Sequence, residues 1–390
     1  MCYIVSRWRT SILIAQRVVK SRDRAEYFIG IMSGTSMDAI DAVLVCFRPD
    51  QSIETCETFS TPFPEGIRQA LTQLITPHWV GTLQDVATLN ATLGSLYAHT
   101  AQSLIAKSNI PKDKILAIGN HGQTIWHQPK QAPCFSWQLG DANQIAELTG
   151  ITTIADFRNR DIAAGGEGAP LVPAFHEAVF ASKSKARVIV NIGGISNLSL
   201  LISGKDTIGF DTGPGNGLMD AWCLKHHAKP YDHNGVWATS GQCIPSLLNQ
   251  LLQDPYFNRP HPKSTGKEYF NLDWLSAYLQ PEMAARDVQT TLLELTAISI
   301  QQSTLRAAPN VDELFICGGG AKNSALMARL KALMKHVRVD KTDALGIDAN
   351  WVEAIAFAWL ARQTLHSLPG NLPSATGASG PRILGAIYQA

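Results

Sequence analysis

The sequence predicts an α/β protein of two lobes, each on a βββαβαβ plan, around a central cleft. Three observations predict it. The chain has 390 residues, 45% of them apolar, more than one ordinary core holds and enough for two. One order of strands, tight turns and helices can be read twice, from Tyr27 and again from Arg187. Each reading opens with a hairpin whose turn is small and polar.

In the first reading, residues 27–32 and 39–47 are Ile-, Val- and Phe-rich runs separated by Ser33-Gly34-Thr35-Ser36-Met37-Asp38. Such runs bounded by a Gly/Ser/Asp cluster are strands joined by a turn. A third extended stretch covers 52–60 and helical text 65–108; strand 115–119 then runs into Asn120-His121-Gly122-Gln123-Thr124, followed by a helix over 141–149 and a strand over 151–155. In the second, Val188-Ile189-Val190-Asn191-Ile192 leads into the turn Gly193 to Asn197, with strands over 198–202 and 207–210 and helical text from 217. After a long irregular and helical middle, strand 314–317 meets Gly318-Gly319-Gly320, and a helix over 323–335, a strand over 336–340 and a helix over 350–366 close the series. The period is far too long for a solenoid or propeller.

Other totals narrow the class. Lys and Arg (33) nearly balance Asp and Glu (32), so no nucleic-acid partner is expected. No apolar run approaches the ~18 residues that span a bilayer, so no membrane partner is expected either. Seven cysteines, widely spaced and without a C-x-x-C pair, fit a reducing cytoplasm better than a disulfide framework or metal cluster. Residues 1–26 hold six basic side chains around the patch Ser11–Ala15, which Gln16 and Arg17 interrupt and no cleavage-like site follows; they read as a disordered extension, not a targeting signal. The lobes then span 27–155 and 156–366, with a tail over 367–390 packing back on them.

One Gly/Ser/Thr/Asp turn is ordinary hairpin chemistry. Two in matching positions, with the glycine junction at 318–320, point to phosphates, because small side chains let backbone N–H and hydroxyl groups approach the oxygens. Two other segments fail as motifs. Lys263-Ser264-Thr265-Gly266-Lys267 has the composition of a P-loop in the wrong order, and Gly213-Pro214-Gly215-Asn216-Gly217 has the wrong spacing for a dinucleotide fingerprint. His121, His127 and His176 lack metal spacing and read as capping or core residues.

Seven stretches, in order, carry a resemblance: IGIMSGTSMDAID (29–41), GNHGQTIWH (119–127), ADFRNRDIAAGGEGAPLVPAFH (155–176), NIGGISN (191–197), GFDTGPGNGLMDAW (209–222), KSTGKEYFNL (263–272) and CGGGAKN (317–323). Together they resemble the anhydro-N-acetylmuramic acid kinase family, from about residue 28 to the C-terminus. The resemblance implies the two-lobed actin-like, ribonuclease H-like fold of the sugar kinase, heat-shock protein and actin superfamily. It implies a reaction in which ATP and water convert 1,6-anhydro-N-acetylmuramic acid to N-acetylmuramic acid 6-phosphate, in peptidoglycan recycling. It also implies a homodimer that needs Mg²⁺. A kinase of another anhydro sugar such as levoglucosan, or a non-catalytic ATP-binding regulator, is the alternative.

By family position Asp211 is the catalytic base, where the residues alone allow equally an N-cap or turn Asp. Glu353, on a largely apolar helix, matches a carboxylate near the site, against a solvated helix Glu. Gly34, Thr35, Ser36, Met37, Asp38, Ala39, Ile40 and Asp41 resemble the ATP-binding segment, with Asp38 near magnesium through water and Asp41 open to a plain pairing role. Gly193 and Gly194 would supply the second phosphate loop, and Gly318, Gly319 and Gly320 the nucleotide platform. His121, Gln123 and Thr124 are placed to contact sugar. Arg158 and Arg160 suit the lactyl carboxylate of a muramic sugar, with Asp156 beside them as a further sugar-binding residue, unless the arginines pair with Asp156 and Asp161.

Overall fold

The computed structural model describes residues 24–34, 37–76 and 79–390. Thr35 and Ser36 of the phosphate turn, and residues 1–23 of the expected extension, lie outside the described residues. The chain divides into two compact units. Unit 1 comprises the described residues up to Gly168 together with Ala354–Asn371 and Ala378–Ala390; unit 2 is Ala169–Glu353 with Leu372–Gly377.

Unit 1 opens with the antiparallel strands β1 (Glu26–Ser33), β2 (Ala39–Phe47) and β3 (Ile53–Pro62). Helices α1 (Glu65–Leu74) and α2 (Leu83–Lys107) follow, the second started by a capping box between Thr82 and Asp85. Strand β4 (Ile115–Asn120) lies parallel to β1; a separate ribbon β5 (Gln123–Gln128) and β6 (Phe135–Leu139) precedes α3 (Ala142–Thr149), β7 (Thr153–Ala155) and the short α4 (Asn159–Ile162).

Unit 2 begins with α5 (Val172–Phe180) and the antiparallel β8 (Arg187–Ile192), β9 (Ile195–Leu201) and β10 (Ile208–Pro214). Then come α6 (Gly217–His227), α7 (Pro245–Leu252), α8 (Pro255–Asn258), α9 (Leu272–Ser276) and the long α10 (Ala285–Ala307). Strand β11 (Glu313–Cys317), α11 (Ser324–Leu333) and β12 (Arg338–Lys341) complete the sheet, with β11 parallel to both β8 and β12. Helix α12 (Val352–Leu365), α13 (Pro373–Thr376) and β13 (Ala386–Tyr388) end the chain.

The duplication is visible in strand order. Unit 1 reads β3-β2-β1-β4-β7 and unit 2 reads β10-β9-β8-β11-β12, with the same parallel and antiparallel pairings at each step. Unit 1 adds β13, antiparallel to β7, as a sixth strand, so part of the C-terminal tail packs on unit 1.

The units divide elsewhere than at residue 155. Residues 156–168 belong to unit 1 because Asp161, fully buried, accepts the Gly168 N–H at 2.8 Å and the Asn371 side-chain amide at 2.6 Å. The final helix, expected in the second lobe, joins unit 1 from Ala354 onward. Its Ala-rich face lies directly on β1 and β4: a Cβ at Gly30 would collide with the Ala354 carbonyl and stand 2.8 Å from the Ala358 nitrogen, and one at Gly119 would collide with the Phe357 carbonyl. Those two glycines permit backbone-to-backbone packing. Strand β1 also starts at Glu26, inside the expected extension, and that carboxylate is buried against Arg362 at 2.8 Å and His366 at 3.0 Å. Among the described residues no helix is long and apolar enough to cross a membrane.

Candidate active site

In unit 2 three glycine-rich junctions crowd around the C-terminal ends of β8 and β11. The β8–β9 turn is only Gly193-Gly194, tighter than the five residues expected, because Ile195, Ser196 and Asn197 already belong to β9. Its carbonyls are taken up by the β10–α6 junction: Asn216 N–H donates to Gly193 O at 2.7 Å, and Gly215 and Gly217 N–H to Gly194 O at 3.0 Å. Side chains are excluded there, since a Cβ at Gly215 would collide with Gly193 O and one at Gly217 would stand 2.8 Å from Gly194 O. The third junction follows β11. Gly318 has φ +78°, the left-handed half of conformational space that glycine alone occupies easily. A Cβ on it would collide with the Asn191 side-chain oxygen, itself buried and without a hydrogen-bond partner. Gly319 and Gly320 continue against Asn216 and Ile192.

Asp211 stands in β10 at a bulge, where the register with β9 shifts between Asp211 and Gly213. Segment 263–265 and helix α8 hold it there. Asp211 N–H donates to Lys263 O at 3.0 Å, its Oδ2 accepts the Thr265 N–H at 3.0 Å, and its carbonyl accepts the Tyr256 hydroxyl at 2.8 Å. Burial pushes the carboxyl up to about 6; the Glu268 carboxylate adds to the rise, while the Thr265 N–H and Lys263 oppose it. A half-buried carboxylate with one oxygen pinned and that basicity is equipped to accept a proton near neutral pH. It is not an N-cap: α6 starts six residues later, behind Asn216.

Glu353 lies close enough to Cys317, the last residue of β11, that its carboxylate reinforces the strong upward push of burial on that thiol. Glu353 is half-buried at the start of α12 rather than on a solvated face. Segment 263–267, rejected as a P-loop, is the neighbour missed by sequence reasoning. Besides bonding Asp211, it lays the stem of Lys267 along Gly194, where a Cβ would stand 2.6 Å from Lys267 Cε. Its presence among the quoted motifs was the signal available.

In unit 1 the β1–β2 turn is held by Met37 N–H donating to Gly34 O at 3.1 Å, with Met37 buried at φ +55°. Asp38 is exposed there, whereas Ala39, Ile40 and Asp41 already lie in β2. Asp41 accepts the Ser60 hydroxyl at 2.8 Å across β2 and β3, the plain pairing role. Ser33 links the turn to its neighbours through the Tyr97 hydroxyl, 2.7 Å away, and Gly122 O.

At the β4–β5 junction His121 is buried, its ring tilted 42° against Phe357, and its Nε2 accepts from Arg158 Nη2 at 2.8 Å. Burial, with the Arg158 charge beside it, drives the imidazole well below its ordinary range, so it is neutral. Arg158 also donates to Gly168 O at 2.7 Å. Gln123 is buried with both amide atoms lacking partners, and so is Asn120 Nδ2. Thr124 Oγ1 accepts from Gln138 at 3.1 Å. Asp156 (φ +58°) and Arg160 are exposed, with Asp156 accepting from Asn159 at 2.7 Å.

Comparison with known proteins completes the picture. Residues 26–390 match the family model described as Anhydro-N-acetylmuramic acid kinase. A Nitrosomonas europaea protein of that name is 52% identical over 364 residues, 93% of this chain and 100% of that one. One from Nitrosospira multiformis is 49% identical over 367 residues, 94% of this chain and 100% of that one. Among solved structures, component A of (R)-2-hydroxyglutaryl-CoA dehydratase from Acidaminococcus fermentans aligns over 85% of this chain and 96% of its own at 12% identity and a TM-score of 0.45.

Proposed function

Because the chain belongs to the anhydro-N-acetylmuramic acid kinase family, it is an actin-like sugar kinase of peptidoglycan recycling acting on 1,6-anhydro-N-acetylmuramic acid, and we propose how its residues carry the reaction. Asp211 is the general base. The substrate's C1 and O6 are joined by an internal ether, so ring opening and phosphorylation can share one step. Asp211 takes a proton from water as the water oxygen bonds to C1. The C1–O6 bond breaks, and its electron pair on O6 forms the new bond to the γ-phosphorus of ATP as ADP leaves. O6 therefore needs no separate acid. The observation that supports Asp211 is its carboxylate: fixed by Thr265, raised to about 6 by burial, ionised at neutral pH yet more basic than an ordinary aspartate.

ATP is held by backbone. At Gly318 and Gly320 a Cβ would stand closer than 3.0 Å to a neighbour, so these positions keep side chains away and let phosphate oxygens approach the backbone. The segment from Gly34 to Asp41, including Thr35 and Ser36, binds nucleotide phosphates in the same way. Glu353 assists as a second carboxylate. The exposed Asp38 would meet Mg²⁺ through water, a contact that suits its position beside the phosphate turn. When bound, the ion neutralises phosphate charge.

His121, Gln123, Thr124, Asp156, Arg158 and Arg160 bind the sugar. Support comes from the Gln123 amide, buried with two unpaired polar atoms that a sugar hydroxyl or acetamido group would satisfy. The described cysteines are all free thiols, which supports a cytoplasmic setting; a homodimer is what the family resemblance implies. Asp211→Asn tests the assignment. It should bind ATP and anhydro sugar with affinities near wild type, because the amide keeps the shape, while turnover falls ~10²-fold or more. Near-normal turnover would remove Asp211 from the mechanism.

A further inference from the structure

We propose that Lys263 is a positioning residue for Asp211, fixing the backbone at the base and placing a positive charge in its neighbourhood. This deepens the assignment of Asp211 as base and rests on it. Three groups of Asp211, its N–H, its carbonyl and Oδ2, bond outside its own sheet, to Lys263, Tyr256 and Thr265. Lys263 links all three. Its carbonyl takes the Asp211 N–H, it lies two residues before Thr265, and its ammonium donates to the carbonyls of Tyr256 at 3.2 Å and Phe257 at 3.3 Å while standing 4.6 Å over the Tyr256 ring. Asp254 braces the other end of α8, accepting the Tyr256 N–H at 2.8 Å, the Tyr269 hydroxyl at 2.9 Å and the Trp274 indole N–H at 2.9 Å.

The surroundings of Lys263 favour an electrostatic role over simple anchoring. Burial, then Arg306 and Arg259, lower its ammonium to about 8, and the carboxylate acting in its favour is Asp211. Arg306 already donates to Phe257 O at 2.9 Å, so that carbonyl has a second cation. The charged and titratable groups around the base are therefore Lys263 and Glu268 from segment 263–268, Tyr256 from α8, and Arg259 and Arg306 beyond the lysine. Lys263 acts with the Thr265 N–H to favour the ionised base against burial and Glu268.

Single-turnover rates from pH 5 to 9 test this, with melting curves to confirm folding. Wild type should lose rate through an acid limb near 6. Lys263→Gln keeps an amide donor but not the charge; its limb should move up in pH, with rates converging on wild type above about 8, where the lysine itself is neutral. Lys263→Arg should leave the limb in place. Lys263→Met gives a second neutral variant if Lys263→Gln melts early, and its limb should move likewise. Equal loss at every pH in the neutral and charged variants, with the limb unmoved, would make Lys263 structural and overturn the proposal. Asp211→Asn, run beside them, separates the two claims: normal turnover there overturns the base and this inference together.

Discussion

Gly30→Ala tests whether the last helix is seated backbone-to-backbone on the unit 1 sheet. An added Cβ would collide with the Ala354 carbonyl and stand 2.8 Å from the Ala358 nitrogen and 2.9 Å from the Ala354 carbonyl carbon. All three atoms are helix backbone, so no rotamer change relieves the clash and α12 must lift from β1. Overpacking a core typically costs ~1–3 kcal/mol, and a rigid neighbour puts this site at the top of that range, about 3 kcal/mol. At ~2–4 °C per kcal/mol for a domain of 150–250 residues, melting should fall by about 6–12 °C. The control is Gly66→Ala in α1, where a Cβ meets nothing within 4 Å, and melting should hold or rise. Calorimetry on the full chain reads both. Gly30→Ala melting within a degree of wild type would refute the packing.

Three further outcomes follow from particular contacts. Burial raises the Glu26 carboxyl, but bonds to His366 and Arg362 outweigh it and the net shift is downward; its contribution is present above the ordinary carboxylate range and lost as pH falls through the folded value, so the melting advantage of wild type over Glu26→Gln should shrink in acid. Asp211 is the opposite case: raised to about 6 in the fold, it destabilises once pH passes from ~4 to above 6, so Asp211→Asn should melt higher than wild type at pH 8 and level with it at pH 4. Gly318→Ala, at φ +78° and with its Cβ 3.0 Å from Ile192 O, should raise KM for ATP while leaving KM for the sugar within twofold, as steady-state kinetics with each substrate varied would read.

The duplicated sheets were legible because β1, β4, β8 and β11 are short apolar runs ended by Gly, Asn or Ser. The ribbon β5–β6 was not: Trp126 and Trp137 are exposed, and Gln123, His127 and Gln138 give no apolar alternation to read. No change of composition marks where unit 1 ends; membership of 156–168 follows from contacts such as Asp161 reaching Asn371, 210 residues away. The final helix was recognisable as buried, but only the glycines it covers show which sheet it lies on. At the site, Asp211, Gly193 and Gly318 were legible as motif positions. The role proposed for segment 263–265 rests on contacts such as that between Thr265 N–H and Asp211 Oδ2, 54 residues apart in sequence, that spacing does not encode.

The central claim is that Asp211 drives water onto C1 while O6 is phosphorylated. Turnover in isotopically labelled water reads it directly, by mass analysis of the sugar phosphate. The label should appear in the hydroxyl at C1, as the α anomer first, with the phosphate on the original O6 free of label, and Asp211→Asn should form this product ~10²-fold or more slowly. Label in the phosphate, or unaltered rates in Asp211→Asn, would contradict the coupled mechanism.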